Sequence, residues 1–127
     1  MTEKFQIYKC KICGNIIEVL HEGAGELVCC GQPMNLIPSK TQEEGNEKHK
    51  PIIKANAEGV TIKVGSIPHP MEEEHYIEWI EIFTDKGRAK KFLKPGEPPE
   101  IKFPIKTQIE QISARAYCNV HGLWSSK

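Results

Sequence analysis

Short alternating stretches dominate this chain. Val60, Ile62 and Val64 are separated by Thr61 and Lys63, and Ile101, Phe103 and Ile105 by Lys102 and Pro104. A period of two puts every second side chain on one face and predicts half-buried strands. Pro104 suggests that its strand lies at a sheet edge, because proline cannot donate to the ladder. Residues 75–83 are rich in β-branched and aromatic side chains (Tyr76, Ile77, Trp79, Ile80, Ile82, Phe83) and predict a further strand. Asp85-Lys86-Gly87 and Lys94-Pro95-Gly96-Glu97-Pro98-Pro99 supply turns. No segment keeps a helical period over three turns. From Pro51 onward the pattern is that of an all-β domain, a small sandwich.

The N-terminal stretch differs. Phe5 and Ile7 alternate with polar neighbours. Residues 16–20 and 26–28 are apolar runs on either side of the Gly-rich residues 21–25, which predicts a hairpin. So few residues cannot bury a stable core alone. Residues 39–50 are polar and charged, and read as a linker with one helical turn.

Composition narrows the function. The chain has 127 residues, with 39% hydrophobic and 27% charged, an ordinary globular balance. Lys plus Arg total 17 and Asp plus Glu total 17, so no global field exists to hold nucleic acid or an anionic membrane. No apolar run approaches the roughly 20 residues of a membrane span. Residues 1–10 lack an apolar signal core, so a cytoplasmic location is expected.

The five cysteines and five histidines then carry the chemistry. An odd Cys count in a reducing compartment argues against a disulfide framework and for metal. Cys10-Lys11-Ile12-Cys13-Gly14 is a metal knuckle, with a glycine free to turn after the second sulfur. Cys29-Cys30-Gly31 completes a four-thiolate set suited to zinc or iron. Adjacent side chains tend to point apart, so this vicinal pair should distort the tetrahedron. Cys118 and His121 have a chelating spacing on a turn, and His49, His69 and His75 lie near charged or Pro-containing segments. His21 has no such company and reads as a loop residue.

These motifs, taken in order, resemble the desulfoferrodoxins, the two-iron type of superoxide reductase. The strings are Tyr8-Lys9-Cys10, Cys13-Gly14 and Leu27-Val28-Cys29-Cys30-Gly31 in the first part. They continue with Glu47-Lys48-His49, His69-Pro70-Met71-Glu72-Glu73-Glu74-His75, Phe92-Leu93-Lys94-Pro95-Gly96 and Tyr117-Cys118-Asn119-Val120-His121-Gly122. The resemblance covers essentially the whole chain. It implies a desulforedoxin-like module at residues 1–37 and an immunoglobulin-like catalytic sandwich at residues 38–127. It implies one iron on Cys10, Cys13, Cys29 and Cys30, and a second on His49, His69, His75, His121 and an axial Cys118. It further implies a homodimer that takes electrons from an external donor such as rubredoxin. Many members carry Glu before the Tyr of the last motif, where this chain has Ala116.

The implied reaction is one-electron reduction of superoxide to hydrogen peroxide at a ferrous site with one open position. Lys48 would attract the anion and order a proton-donating water, and Glu47 would occupy the sixth position of the oxidised iron. Lys90 and Lys91 read as surface residues, and Tyr76, Trp79 and Trp124 as packing. Two rivals stand beside this reading: a zinc-bound structural module and a pure electron carrier. Both explain the N-terminal cysteines and leave the histidines unexplained.

Overall fold

The computed structural model describes residues 1–41 and 45–127. The chain divides into two compact units, Met1–Pro38 and Ser39–Lys127.

In the first unit β1 (Ile7–Lys9) is the central strand. β2 (Ile16–Glu18) flanks it on one side; a short ribbon of β3 (Val28–Cys29) and β4 (Gln32–Pro33) follows, and β5 (Asn35–Ile37) returns to its other side. All these pairings are antiparallel. The hairpin expected between residues 16–20 and 26–28 does not form. The chain reverses at the two metal-type turns instead, where Gly14 (φ 84°), Cys30 (φ 53°) and Gly31 (φ 73°) supply left-handed backbone. Residues 21–25 form a loop tied to the N-terminus. Thr2 N–H donates to the Gly23 carbonyl at 3.0 Å, and Gly23 N–H donates to Thr2 Oγ1 at 2.9 Å. The buried apolar residues of this unit are only Ile7, Cys10 and Val19.

The second unit is a two-sheet sandwich. β6 (Ser39–Lys40) leads to a single helical turn, α1 (Asn46–His49), and then to β7 (Pro51–Asn56) and β8 (Gly59–Val64). β9 (Ile77–Thr84), β10 (Gly87–Phe92), β11 (Glu100–Phe103), β12 (Ser113–Cys118) and β13 (Gly122–Ser125) follow. One sheet has the order β10-β9-β12-β13-β6 and the other β11-β8-β7. Their facing residues build one core: Val60, Ile62, Val64, Ile101 and Phe103 meet Ile80, Ile82, Ala114, Ala116 and Cys118. β11 is an edge strand that stops before Pro104, as the proline requires. The expected linker is shorter than residues 39–50. Ser39 and Lys40 are already paired in parallel with β13, the helical turn occupies Asn46–His49, and residues 42–44 lie outside the described residues.

β9, central between β10 and β12, is buried on both faces: Ile80 and Ile82 face the core, and the side chains of Lys90, Arg115 and Tyr117 cover Trp79 and Glu81 on the other side. Its outward side holds Glu81, only 1% exposed, at the register position shared by Lys90 of β10 and Arg115 of β12. Arg115 Nε donates to Glu81 Oε1, and Lys90 Nζ lies 3.6 Å from Glu81 Oε2. Lys90 is therefore more than the surface residue its sequence suggests: its ammonium also sits 5.2 Å from the centre of the Trp79 ring. Lys91 is exposed, as expected. Trp79 packs flat on Tyr117, with ring centres 4.7 Å apart.

Removing one partner of a buried ion pair leaves an uncompensated charge. Glu81→Gln is expected to cost about 3 kcal/mol. Glu81→Leu combined with Arg115→Met should recover much of that loss. Shifts in denaturant midpoint of the metal-loaded chain measure both.

Candidate metal centres

Two clusters of potential ligand atoms emerge, each with its donors within 4.8 Å of one another. The first joins Cys10, Cys13, Cys29 and Cys30. Cys13 Sγ lies 3.5 Å from Cys29 Sγ, and Cys29 Sγ 3.9 Å from Cys30 Sγ. These spacings exclude disulfides and match the ~3.8 Å edge of a tetrahedron with ~2.3 Å metal–sulfur bonds. The vicinal pair converges because Cys30 takes a left-handed backbone, a strained choice for a residue with a Cβ. The backbone N–H of Cys13 points at Cys10 Sγ, 3.5 Å away. That amide, aided by its neighbour at Ile12, lowers the Cys10 thiol to about 6. Contacts with the sulfurs of Cys13, Cys29 and Cys10 push Cys30 up to about 12. Four crowded sulfurs cannot all ionise without a cation among them, and the set fits one.

The second cluster joins His49, His69, His75, Cys118 and His121. The imidazoles stand at the corners of a square. Ring centres are 4.7 Å apart for His49–His69, 4.8 Å for His69–His75, 5.0 Å for His75–His121 and 4.7 Å for His49–His121. The His49–His75 diagonal is 6.5 Å. Cys118 Sγ lies 3.8 Å from His121 Nδ1.

Backbone carbonyls set the tautomers. His49 Nδ1–H donates to the Gly45 oxygen at 2.8 Å, and His69 Nδ1–H donates to the Pro70 oxygen at 2.7 Å. Each ring then presents a bare Nε2 to the centre. The Nε2 atoms of His69 and His75 are buried without a hydrogen-bond partner. His49 Nε2 faces His121 Nδ1 at 3.1 Å. Burial lowers His69 to about 4 and depresses His49 and His121 as well, so the lone pairs stay free at neutral pH. Burial also pushes the Cys118 thiol up. Nε2 lone pairs without a hydrogen-bond partner beside a buried thiol form a donor set that fits a cation.

Local structure explains why these five converge. The β12 ladder shifts register between Tyr117 and Cys118, which aims Cys118 into the core beside the site. His121 returns on the following turn, where its N–H donates to Cys118 Sγ at 3.4 Å. Asn119 straps this turn to the His75 segment: its Oδ1 accepts from Tyr76 N–H at 2.9 Å, and its Nδ2 donates to the Glu74 oxygen at 3.2 Å. His49 closes α1 and stacks on Trp124, with ring centres 5.0 Å apart. α1 is seated by Ile67 N–H and Ser66 Oγ–H on the Glu47 carbonyl, at 2.8 and 3.1 Å. Glu47 and Lys48 have exposed side chains immediately before buried His49. His21 lies in an exposed loop and belongs to neither cluster.

Residues 41–127 match the family described as Desulfoferrodoxin, and residues 2–37 match Desulfoferrodoxin, N-terminal domain. This chain belongs to the desulfoferrodoxin family. It is 56% identical over 126 residues to a desulfoferrodoxin homolog of Archaeoglobus fulgidus, covering 99% of each. It is 52% identical over 127 residues to the desulfoferrodoxin of Nitratidesulfovibrio vulgaris, covering 100% of this chain and 99% of that one. The solved superoxide reductase of Treponema pallidum superposes with a TM-score of 0.76 at 30% identity, covering 96% of this chain and 97% of that one. The all-β architecture, with its immunoglobulin-like sandwich, is the one shared with that superoxide reductase. The two donor sets are those of a desulfoferrodoxin with two mononuclear iron sites. Ala116 points into the hydrophobic core, paired with Ile80 and Trp124, so a carboxylate there would need its own buried partner.

Sequence reasoning passed over the residues that hold the ligands: Gly45, Gly65, Pro70 and Asn119. Gly65 is the most demanding. A Cβ there would meet the Glu47 oxygen at 2.8 Å, the Lys48 carbonyl carbon at 2.9 Å and the Lys50 oxygen at 3.1 Å. Gly65→Ala should therefore push residues 47–50 aside at a cost of about 1–3 kcal/mol. The expected result is reduced iron at the histidine centre with the four-cysteine centre still loaded. Metal analysis with the two absorption signatures checks it.

Proposed function

We propose that this chain is a superoxide reductase. The square of four imidazoles beside Cys118, in a family with solved superoxide reductases, carries the reading. Iron bound there would supply the electron for converting superoxide, with two protons, to hydrogen peroxide. His49, His69 and His75 would hold it through Nε2 and His121 through Nδ1. Cys118 would hold it through a thiolate, whose electron density would favour electron donation.

The surrounding side chains divide the remaining work. Lys48, exposed beside His49, draws the small anion toward the centre and orders a water that donates a proton. Its field is local, so the zero net charge of the chain does not oppose it. Glu47, exposed in the turn before His49, would offer a hard carboxylate suited to ferric iron. Cys10, Cys13, Cys29 and Cys30 hold the first iron, which also supports the sparse core of its unit. Electrons come from an external carrier such as rubredoxin, and the working form is a cytoplasmic homodimer. No helix among the described residues is long and apolar enough to cross a membrane.

Reduced protein should consume superoxide in proportion to its histidine-site iron and yield peroxide, with two irons per chain. Protein with only the four-sulfur signature and no superoxide consumption would favour an electron-transfer or structural module. Lys48→Met should slow the encounter about 10-fold or more and flatten its salt dependence. Rapid-mixing kinetics at several ionic strengths read both. Glu47→Ala should change the ferric spectrum and leave the first encounter nearly intact; an unchanged spectrum would remove Glu47 from the centre.

A further inference from the structure

Lys40 lies outside the ligand set and outside the Glu47–Lys48 pair, yet the fold delivers it to the histidine centre. β6 runs parallel to β13 and places Lys40 opposite Trp124. The Lys40 ammonium donates to the His121 carbonyl oxygen at 3.2 Å and sits 5.6 Å from the centre of the Trp124 ring. Trp124 Nε1–H donates to the same oxygen at 3.1 Å. The Trp124 ring stacks on His49 at an interplanar angle of 19°. One cation thus reaches two of the four imidazoles, through a shared carbonyl and a shared ring. The carbonyl it binds belongs to the turn that also carries Cys118.

We propose that Lys40 is a positioning residue of the histidine centre, and that its fixed charge holds the centre toward the reduced state. The inference rests on the reading of that centre as iron. Four neutral imidazoles and one thiolate leave a reduced ferrous centre near +1 and its oxidised form near +2. A nearby ammonium disfavours the more positive form, so it favours the reduced one. Lys40 is half-buried along its stem while its ammonium contact is exposed, so its field is open to screening by salt. The two donors on the His121 carbonyl also fix the ligand turn, which a charge alone would not do.

The test compares the full, iron-loaded chain with its Lys40→Met and Lys40→Arg variants. Each is titrated with redox mediators while the ferric-thiolate absorption of the histidine centre is followed. Lys40→Met keeps an apolar stem on an edge strand and should fold normally. It is expected to lower the equilibrium constant for reduction about three- to tenfold, tenfold being about 59 mV for one electron. Lys40→Arg should stay within about twofold of the parent, and added salt should narrow the Met–parent gap. Equal potentials in the parent and Lys40→Met would overturn the assignment. So would an equal shift in both variants, which would mean that packing rather than charge is responsible. A parent chain that binds iron only at its four cysteines would overturn the superoxide reductase reading itself, and the Lys40 role with it.

Discussion

Nitrogen lone pairs converging at the edge of the sandwich, on buried His49 and His69, half-buried His75 and exposed His121, are the constraint on which the second unit is organised. Four imidazoles are brought edge to edge in a square, with a buried thiol beside them. Protonation is a poor relief for the crowding, because burial disfavours charging His49, His69 and His121. Only a cation can accept the lone pairs and stabilise the thiolate together. Folding and metal binding are therefore coupled in this unit, even though its hydrophobic core is substantial.

The scaffold holds the ligands through backbone groups. Carbonyls of Gly45 and Pro70 fix ring tautomers, a bulge aims Cys118, and Asn119 ties the two ligand-bearing turns together. Such contacts suit a centre that must keep its geometry while its charge changes. His49 and His69, hydrogen-bonded to backbone carbonyls at their far nitrogens, are held against rotation. Trp124 extends this support, stacking on His49 while its indole N–H helps fix the His121 turn.

The first unit solves a different problem. Its five short strands bury too little apolar surface for independent stability, and its sulfurs take the place of a core. Cys10 is itself one of the few buried residues there. The strained backbone at Cys30 is tolerable because coordination would return more free energy than the strain costs.

Much of this was legible in the chain. Period-two alternation marked β8 and β11, Pro104 marked an edge, and the order of the Cys and His motifs carried the family. The N-terminal hairpin was misread because apolar runs reveal which residues pair but not with what; the left-handed turns decided that. Glu81 and Lys90 looked like ordinary charges, because a central strand buried on both faces hides its polar residue from any one-dimensional pattern. Lys40 sat inside an apparent linker, and Gly65 was one glycine among ten. Ligand identity was written in the sequence because coordination chemistry admits few residue types. The square, the tautomers and the supporting contacts were not, because they depend on backbone atoms from distant segments that only the closed sandwich brings within a few ångströms.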